Sequence, residues 1–312
     1  MSLSLLDLVS TPIGLLNSLG LEVSAGLSSE DPMGRRPSEP YQVFLTLYNP
    51  EGIFARRMSL GEIPPQRRRF FPLSPASQGM FPGANHLAVI HRIPSRFLAD
   101  GRTPEEPREI DPAEADFSMF RGVVQYAYPG GSSGSVIYET PHGLNTPRSA
   151  GRPSPKTLTL TSQVAVSDTM ETCLALLHYS VDPRRTAPLQ YHYAFFAPDG
   201  KLAAEGSVLC QPFTVTLLKA KEILAPAELR RATDPADGIA CFGFVGFAEQ
   251  GVVMPVILSL NPSSRAVSVE HTHPAQSYTC PYRPEEKHQL KNQAIQQWKQ
   301  QLSSLEPVPA RS

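Results

Sequence analysis

Val43-Phe44-Leu45-Thr46-Leu47-Tyr48-Asn49-Pro50-Glu51-Gly52 returns later in the chain as Tyr191-His192-Tyr193-Ala194-Phe195-Phe196-Ala197-Pro198-Asp199-Gly200. Each is an apolar run that stops at a Pro-acid-Gly turn, as a strand does on entering a hairpin. A second stretch, Ser135-Val136-Ile137-Tyr138-Glu139-Thr140-Pro141-His142, returns as Ala266-Val267-Ser268-Val269-Glu270-His271-Thr272-His273. The first pair is offset by 148 residues (Gly52 to Gly200) and the second by 131 (Glu139 to Glu270). Landmarks in a shared order with unequal spacing imply two copies of one domain with different loops. The length, 312 residues, suits two domains of about 150 residues each.

Working outward from these landmarks, short apolar runs separated by turn residues read as strands. In the first half they are Tyr41 to Tyr48, Arg67 to Phe71, His86 to Ile93, Phe120 to Tyr128 and Ser135 to Glu139. In the second half they are Leu158 to Val166, Thr172 to Tyr179, Gln190 to Phe196, Val208 to Leu218, Gly238 to Phe247, Val252 to Leu260 and Ala266 to His271. The 32 prolines and 21 glycines suit the many turns of such a chain. Helix signals are sparse. Leu-rich residues 1–24 suggest one or two short amphipathic helices, Ala227 to Ala232 a single turn, and Arg283 to Leu305 one long helix. That helix carries a thin apolar stripe of Leu290, Ile295, Trp298 and Leu302.

The fold class expected is all-β: two tandem jelly-roll-like β-sandwich domains with short helical N- and C-terminal segments. The expected divisions are an apolar helical segment and linker over 1–40, a first sandwich over 41–142 and a linker over 143–157. A second sandwich over 158–282 and a C-terminal helix and tail over 283–312 complete the chain.

Charge and composition narrow the function. The net charge of −1 offers no global attraction for nucleic acid or acidic membranes. No run approaches the roughly 18 apolar residues of a membrane span. The start lacks the cationic stretch of a secretory signal and has Pro12 in its apolar run, so a cytoplasmic, soluble protein is expected. Cys173, Cys210, Cys241 and Cys280 show no CxxC spacing, which argues against a zinc ribbon and for free thiols.

Several stretches resemble the sensory rhodopsin transducer family. Cys173-Leu174-Ala175-Leu176-Leu177 is similar to its Cys-Leu-Leu strand. Tyr193-Ala194-Phe195-Phe196-Ala197-Pro198-Asp199-Gly200 is similar to its aromatic strand with an acidic turn, and Val269-Glu270-His271-Thr272 to its last strand. In the first half, Ile63-Pro64-Pro65-Gln66-Arg67-Arg68-Arg69 resembles the family's Pro-x-Arg-Arg stretch, and Tyr138-Glu139-Thr140 its last strand with the histidine lost. The resemblance covers about two-thirds of the chain in pieces. It implies a small β-sandwich without known catalytic chemistry, often oligomeric, that serves signalling or ligand binding. The tandem arrangement, the helical ends and Gln211-Pro212-Phe213-Thr214 in place of a second Arg pair depart from the family, so a transducer role is not carried over.

Two constellations could carry chemistry. His271 and His273 stand two apart on a strand, so both imidazoles share one face and form half of a metal site. His178, His192 or Cys280 could add a third ligand to bind a transition metal. Arg67-Arg68-Arg69, with Arg56, Arg57, Arg92 and Arg96, makes the first half locally basic. Arg67 and Arg69 fall on one strand face and suit a carboxylate or phosphate, or simply guard a sheet edge. Gly130-Gly131-Ser132-Ser133-Gly134-Ser135 lacks the Lys-Ser/Thr of a phosphate-binding loop and reads as a hairpin turn.

The function expected is a non-enzymatic binding or assembly protein. It would recognise a small anionic molecule, a sugar or a protein partner through a sheet face or an interdomain cleft. The ligand residues expected are Arg67, Arg69, His192, His271 and His273, with homo-oligomerisation as one mode of assembly. One alternative is a metal-dependent, cupin-like enzyme using His271 and His273. The other is a structural subunit that docks through its two ends.

Overall fold

The computed structural model describes residues 4–8, 10–29, 39–109, 121–139, 157–179, 187–248 and 253–270. They form an all-β protein of sixteen strands in four antiparallel four-stranded sheets. In the first half the strands are β1 (Ser10–Leu16), β2 (Glu22–Ser28), β3 (Tyr41–Tyr48), β4 (Phe54–Ile63), β5 (Arg68–Pro72), β6 (Asn85–Pro94), β7 (Arg121–Ala127) and β8 (Ser133–Glu139). In the second they are β9 (Thr157–Val166), β10 (Glu171–His178), β11 (Leu189–Phe196), β12 (Leu202–Cys210), β13 (Thr214–Lys219), β14 (Ala240–Ala248), β15 (Val253–Asn261) and β16 (Ala266–Glu270).

Sheet I runs β1-β6-β3-β4 and sheet II β5-β2-β7-β8; sheet III runs β9-β14-β11-β12 and sheet IV β13-β10-β15-β16. Adding eight to each strand of sheets I and II gives sheets III and IV in the same order. The duplication read from the sequence is therefore a duplication of topology. Both quoted pairs fall on equivalent strands, β3 with β11 and β8 with β16. The two Pro-acid-Gly turns also share their chemistry. Gly52 and Gly200 take positive φ (83° and 79°), while Asn49 and Asp199 carboxamide and carboxylate oxygens accept backbone N–H groups inside the turns.

The first sandwich begins earlier than the sequence suggests. Of the helical segment expected over 1–24, the described residues form one α-turn, α1 (Leu5–Leu8), and one 3-10 turn at Asn17–Leu19; β1 and β2 take most of the remainder. β1 is buried along most of its length, so its apolar residues do not alternate and mimic a helical stripe. Gly14, Gly20 (φ 67°) and Gly26 disfavour a helix there. The linker at 143–157 lies outside the described residues up to 156, and the C-terminal helix expected over 283–305 lies outside them entirely.

The two sandwiches are not beads on a string. β10 is apolar on both faces, and register separates its residues cleanly. Leu174 and Leu176 face sheet III and join Tyr191, Phe195, Phe242 and Phe244 in the second sandwich's core. Cys173, Ala175 and Leu177 face the other way, with Met254, Val256 and Leu258 of β15. They form one cluster with Ile13, Leu15, Val43, Leu45, Val89 and Tyr126 of the first sandwich. Sheet IV is thus sandwiched twice. Tyr48 of β3 stacks on Phe213 at 4.9 Å, and Tyr179 meets the same ring edge-on at 5.9 Å. These rings pack against one another in the seam between the two sandwiches.

The Gly-rich turn before β8 is part of the same joint. Ser132 N–H donates to Arg265 O (3.0 Å), Val267 N–H to Ser132 Oγ (3.2 Å) and the Arg265 guanidinium to Pro129 O (3.3 Å). A Cβ at Gly131 would lie 2.3 Å from Arg265 O, and one at Gly134 would lie 2.8 Å from Val269 N. Glycine there permits two backbones to touch, which explains the composition without any phosphate.

Candidate functional site: the arginine edge and the histidine face

β4 and β5 lie side by side as edge strands of sheets I and II, on the flank of the first sandwich. The chain passes between them through Pro64-Pro65-Gln66, with Gln66 at φ 55°. Ser29 pins that turn. Its hydroxyl donates to Pro64 O (2.6 Å) and accepts from Arg67 N–H (3.1 Å), and its own N–H donates to Arg67 O (3.0 Å). The turn delivers Arg67, Arg68 and Arg69, all exposed, onto the edge.

The three arginines are not equivalent. Arg69 lies 4.9 Å over the buried Phe71 ring and donates to Glu62 O (3.1 Å), so it closes the sandwich's rim. Among the described residues no side-chain or backbone acceptor holds the Arg67 guanidinium. Arg68 shares the outer face of sheet II with Phe70, whose exposed ring rests on Gly26; a Cβ there would come within 2.8 Å of the ring. Arg69 is thus held by its own sandwich, and Arg67, Arg68 and Phe70 are exposed on the same edge.

The wider basic patch also contracts. Arg92 is buried, stacks 4.4 Å from the Tyr41 ring and donates to Ser28 O (2.5 Å), joining the two sheets. Arg96 pairs with Glu39. Arg57 pairs with Glu105 (2.9 Å). Partial burial pushes the Glu105 carboxyl up, but the hydrogen bonds and charge, led by Arg57, hold it below its ordinary value.

Arg57 belongs to a network that the sequence did not reveal. Its Nε donates to Thr46 Oγ1 (3.0 Å), Thr46 Oγ1 meets His91 Nε2 (2.9 Å), and His91 Nδ1 meets Leu6 O (3.0 Å). Leu6 O can only accept, so Nδ1 carries the proton. Nε2 then accepts from the Thr46 hydroxyl, whose oxygen is left to accept from Arg57. The chain of donors is complete and holds α1 against sheet I. Thr46 and His91 are 45 residues apart, and only the β3–β6 pairing brings them together.

The expected histidine site divides. His271 and His273 lie outside the described residues. His192 sits on the outer face of sheet III, stacked on Phe247 at 5.0 Å. His178 lies on the opposite side of that sheet, buried between sheets III and IV. Its Nδ1 meets Cys210 O (3.1 Å), and burial lowers its pKa. His178 and His192 therefore cannot serve one ion together. Among the described residues no three His, Cys, Asp or Glu side chains gather as a metal site.

The described cysteines Cys173, Cys210 and Cys241 are free. Burial pushes the Cys173 thiol up to about 12 and the Cys210 thiol to about 11, so neither is a nucleophile near neutrality. Among the described residues no helix is long and apolar enough to cross a membrane.

No protein-family model matches the chain, and no curated protein matches it. Solved structures similar to it include a β-glucuronidase from Bacteroides uniformis, at 10% identity and TM-score 0.19 over 84% of this chain and 25% of that one. A glycosyl hydrolase family 2 member from Bacteroides cellulosilyticus matches at 7% identity and TM-score 0.18, over 84% of this chain and 27% of that one. A β-glucuronidase from Ruminococcus gnavus matches at 12% identity and TM-score 0.17, over 84% and 34%. The chain spans about a quarter to a third of these structures. Similarity at this level carries no argument about activity.

Proposed function

We propose that the chain is a non-enzymatic binding protein that receives an acidic, extended partner along the β5 edge of its first sandwich. The observation that carries this reading is the run Arg67-Arg68-Arg69, exposed on a sheet edge whose outer side has, among the described residues, no strand paired to it. An extended peptide can add to such an edge through its backbone. Carboxylates on it would meet Arg67 on one face and Arg68 on the other, and an apolar side chain would lie on Phe70. The resemblance to a family of small β-sandwiches without known catalytic chemistry accords with this reading.

The test is calorimetric titration with an acidic β-forming peptide, for example alternating Glu and Val. Exposed charge pairs contribute about 0.2–1 kcal/mol each. Arg67→Ala with Arg68→Ala should therefore weaken binding by roughly ten-fold, and added salt should weaken the wild type similarly. Arg69 is left in place because it supports the rim. Equal binding by the wild type and the double variant would overturn the proposal, as would no heat of binding from either.

A further inference from the structure

β12 is an edge strand of sheet III, bonded to β11 on one side and, among the described residues, to no strand on the other. From Ala204 to Cys210 it pairs with β11 in unbroken register, so its free side is a regular run. That run, Ala204-Glu205-Gly206-Ser207-Val208-Leu209-Cys210, holds one charge and no lysine, arginine or proline. Edge strands are ordinarily guarded by such residues or by bulges.

The duplication shows a guarded version of the same strand. β4 is the counterpart of β12 in the first sandwich and stands at the same edge of its sheet. It carries Arg56, Arg57 and Glu62, and two register irregularities break its ladder with β3. β12 keeps one irregularity, at its start, and none of the cations.

Both faces of β12 suit a further strand. Glu205, Ser207 and Leu209 stand exposed on the outer face, Leu209 at 48%. Ala204 and Val208 turn inward and pack on the second sandwich's core, yet stay half-buried at the sheet's end. Between them Gly206 makes room for Tyr193. A Cβ there would lie 2.6 Å from the Tyr193 hydroxyl oxygen, so the phenol reaches across the strand at the edge.

The strand that pairs here must be uncharged where it faces Glu205 and apolar where it faces the core. No cation on β12 can hold an acidic segment, and Glu205 repels one. β12 itself meets these terms. In an antiparallel pairing about a two-fold axis at Gly206, Glu205 of each copy faces Ser207 of the other. A hydroxyl then meets a carboxylate twice, and no like charges are opposed. Ala204 faces Val208 of the second copy, which carries the apolar layer across the axis. Moving the axis by one residue sets Glu205 against Leu209 or against itself.

We propose that two copies of this chain pair through β12 about a two-fold axis at Gly206, joining their sheets III into one eight-stranded antiparallel sheet. This surface belongs to the second sandwich and is separate from the arginine edge of the first.

Sedimentation equilibrium of the full chain tests the pairing and its register together. The wild type should dimerise reversibly. Ser207 is exposed, so replacing it spares the core. Ser207→Glu opposes carboxylates twice across the axis and should raise the dissociation constant roughly ten-fold. Ser207→Lys sets a cation opposite Glu205 and should leave the constant equal or lower. Adding Glu205→Lys to Ser207→Glu exchanges the charges and should restore the wild-type constant. Hydrogen exchange over residues 204–210 should slow as protein concentration rises. A monomer at every concentration would overturn the proposal, as would a dimer that Ser207→Glu and Ser207→Lys affect alike. Protection of 204–210 that is independent of concentration would also overturn it, because the chain's own residues would then cover the edge.

Discussion

Leu177→Ala probes the joint between the sandwiches at its centre. Leu177 belongs to β10 of the second sandwich, yet its side chain is buried in the cluster built mainly by the first. Its Cδ1 lies 3.5 Å from where a Cβ on Gly14 of β1 would stand. Removing three carbons from a fully buried leucine costs about 2–5 kcal/mol, from lost burial and the cavity left behind. Taking roughly 3 kcal/mol, the opening constant should rise more than a hundred-fold. Leu176→Ala is the matched control: the same strand, the same side chain, the same complete burial, but facing sheet III. Native-state hydrogen exchange read by mass spectrometry distinguishes the two. Leu177→Ala should accelerate exchange in β1 and β6 as well as in β10 and β15. Any excess over Leu176→Ala in β1 and β6 measures the joint itself. If Leu177→Ala speeds exchange in the second sandwich and leaves β1 and β6 unchanged, the shared-sheet reasoning is refuted.

Other consequences follow from the same packing. Burial lowers the pKa of His86 and of His178, so both favour the neutral form in the fold. The stability they support is present above the unfolded value of about 6.5 and is lost as pH falls through the lower folded values. Urea midpoints should therefore decline on acidification below about pH 6.5, and His178→Asn should flatten that decline; an unchanged slope would contradict the assignment. Gly134→Ala should destabilise the joint by about 1–3 kcal/mol, because its Cβ would lie 2.7 Å from Val269 Cγ2 and 2.8 Å from Val269 N; a thermal midpoint equal to the wild type would contradict this. Thr46→Val leaves His91 Nε2 without its donor and removes the acceptor of Arg57 Nε. It should cost about 1–3 kcal/mol and be seen as faster exchange at Leu5–Leu8.

Much of the fold was legible because strands facing one core and ending in turns announce themselves. Tyr41 to Tyr48 was bounded correctly by the Asn49–Gly52 turn, and Leu158 to Val166 to within one residue. What was not legible is what depends on a second layer. The β1 stretch reads as helix in the sequence because neither of its faces meets water. β4 went unread because its residues are mostly exposed or half-exposed and two register irregularities in the β3–β4 ladder interrupt its pattern. Val208 to Leu218 reads as one strand, whereas the chain breaks at Gln211–Phe213, with Phe213 at φ 59° placing its ring against Tyr48. The continuous apolar run Cys173 to Leu177 did hold the signal that sheet IV is covered on both sides. Reading it required knowing that a second sandwich lay against it.

The site was less legible than the fold. The sequence located the arginine run, but Arg92 and Arg69 gave no sign that aromatic rings and backbone carbonyls of their own sandwich already hold them. The Thr46–His91 pair was invisible for a related reason, since its members converge only through strand pairing.

The claim on which the rest depends is that two copies of one sandwich have become a single body through the doubly covered sheet IV. Differential scanning calorimetry of the intact chain tests it most directly. One transition is expected, with a calorimetric enthalpy equal to its van't Hoff enthalpy. Two resolved transitions, or a calorimetric enthalpy near twice the van't Hoff value, would show that the halves unfold independently and would contradict the account.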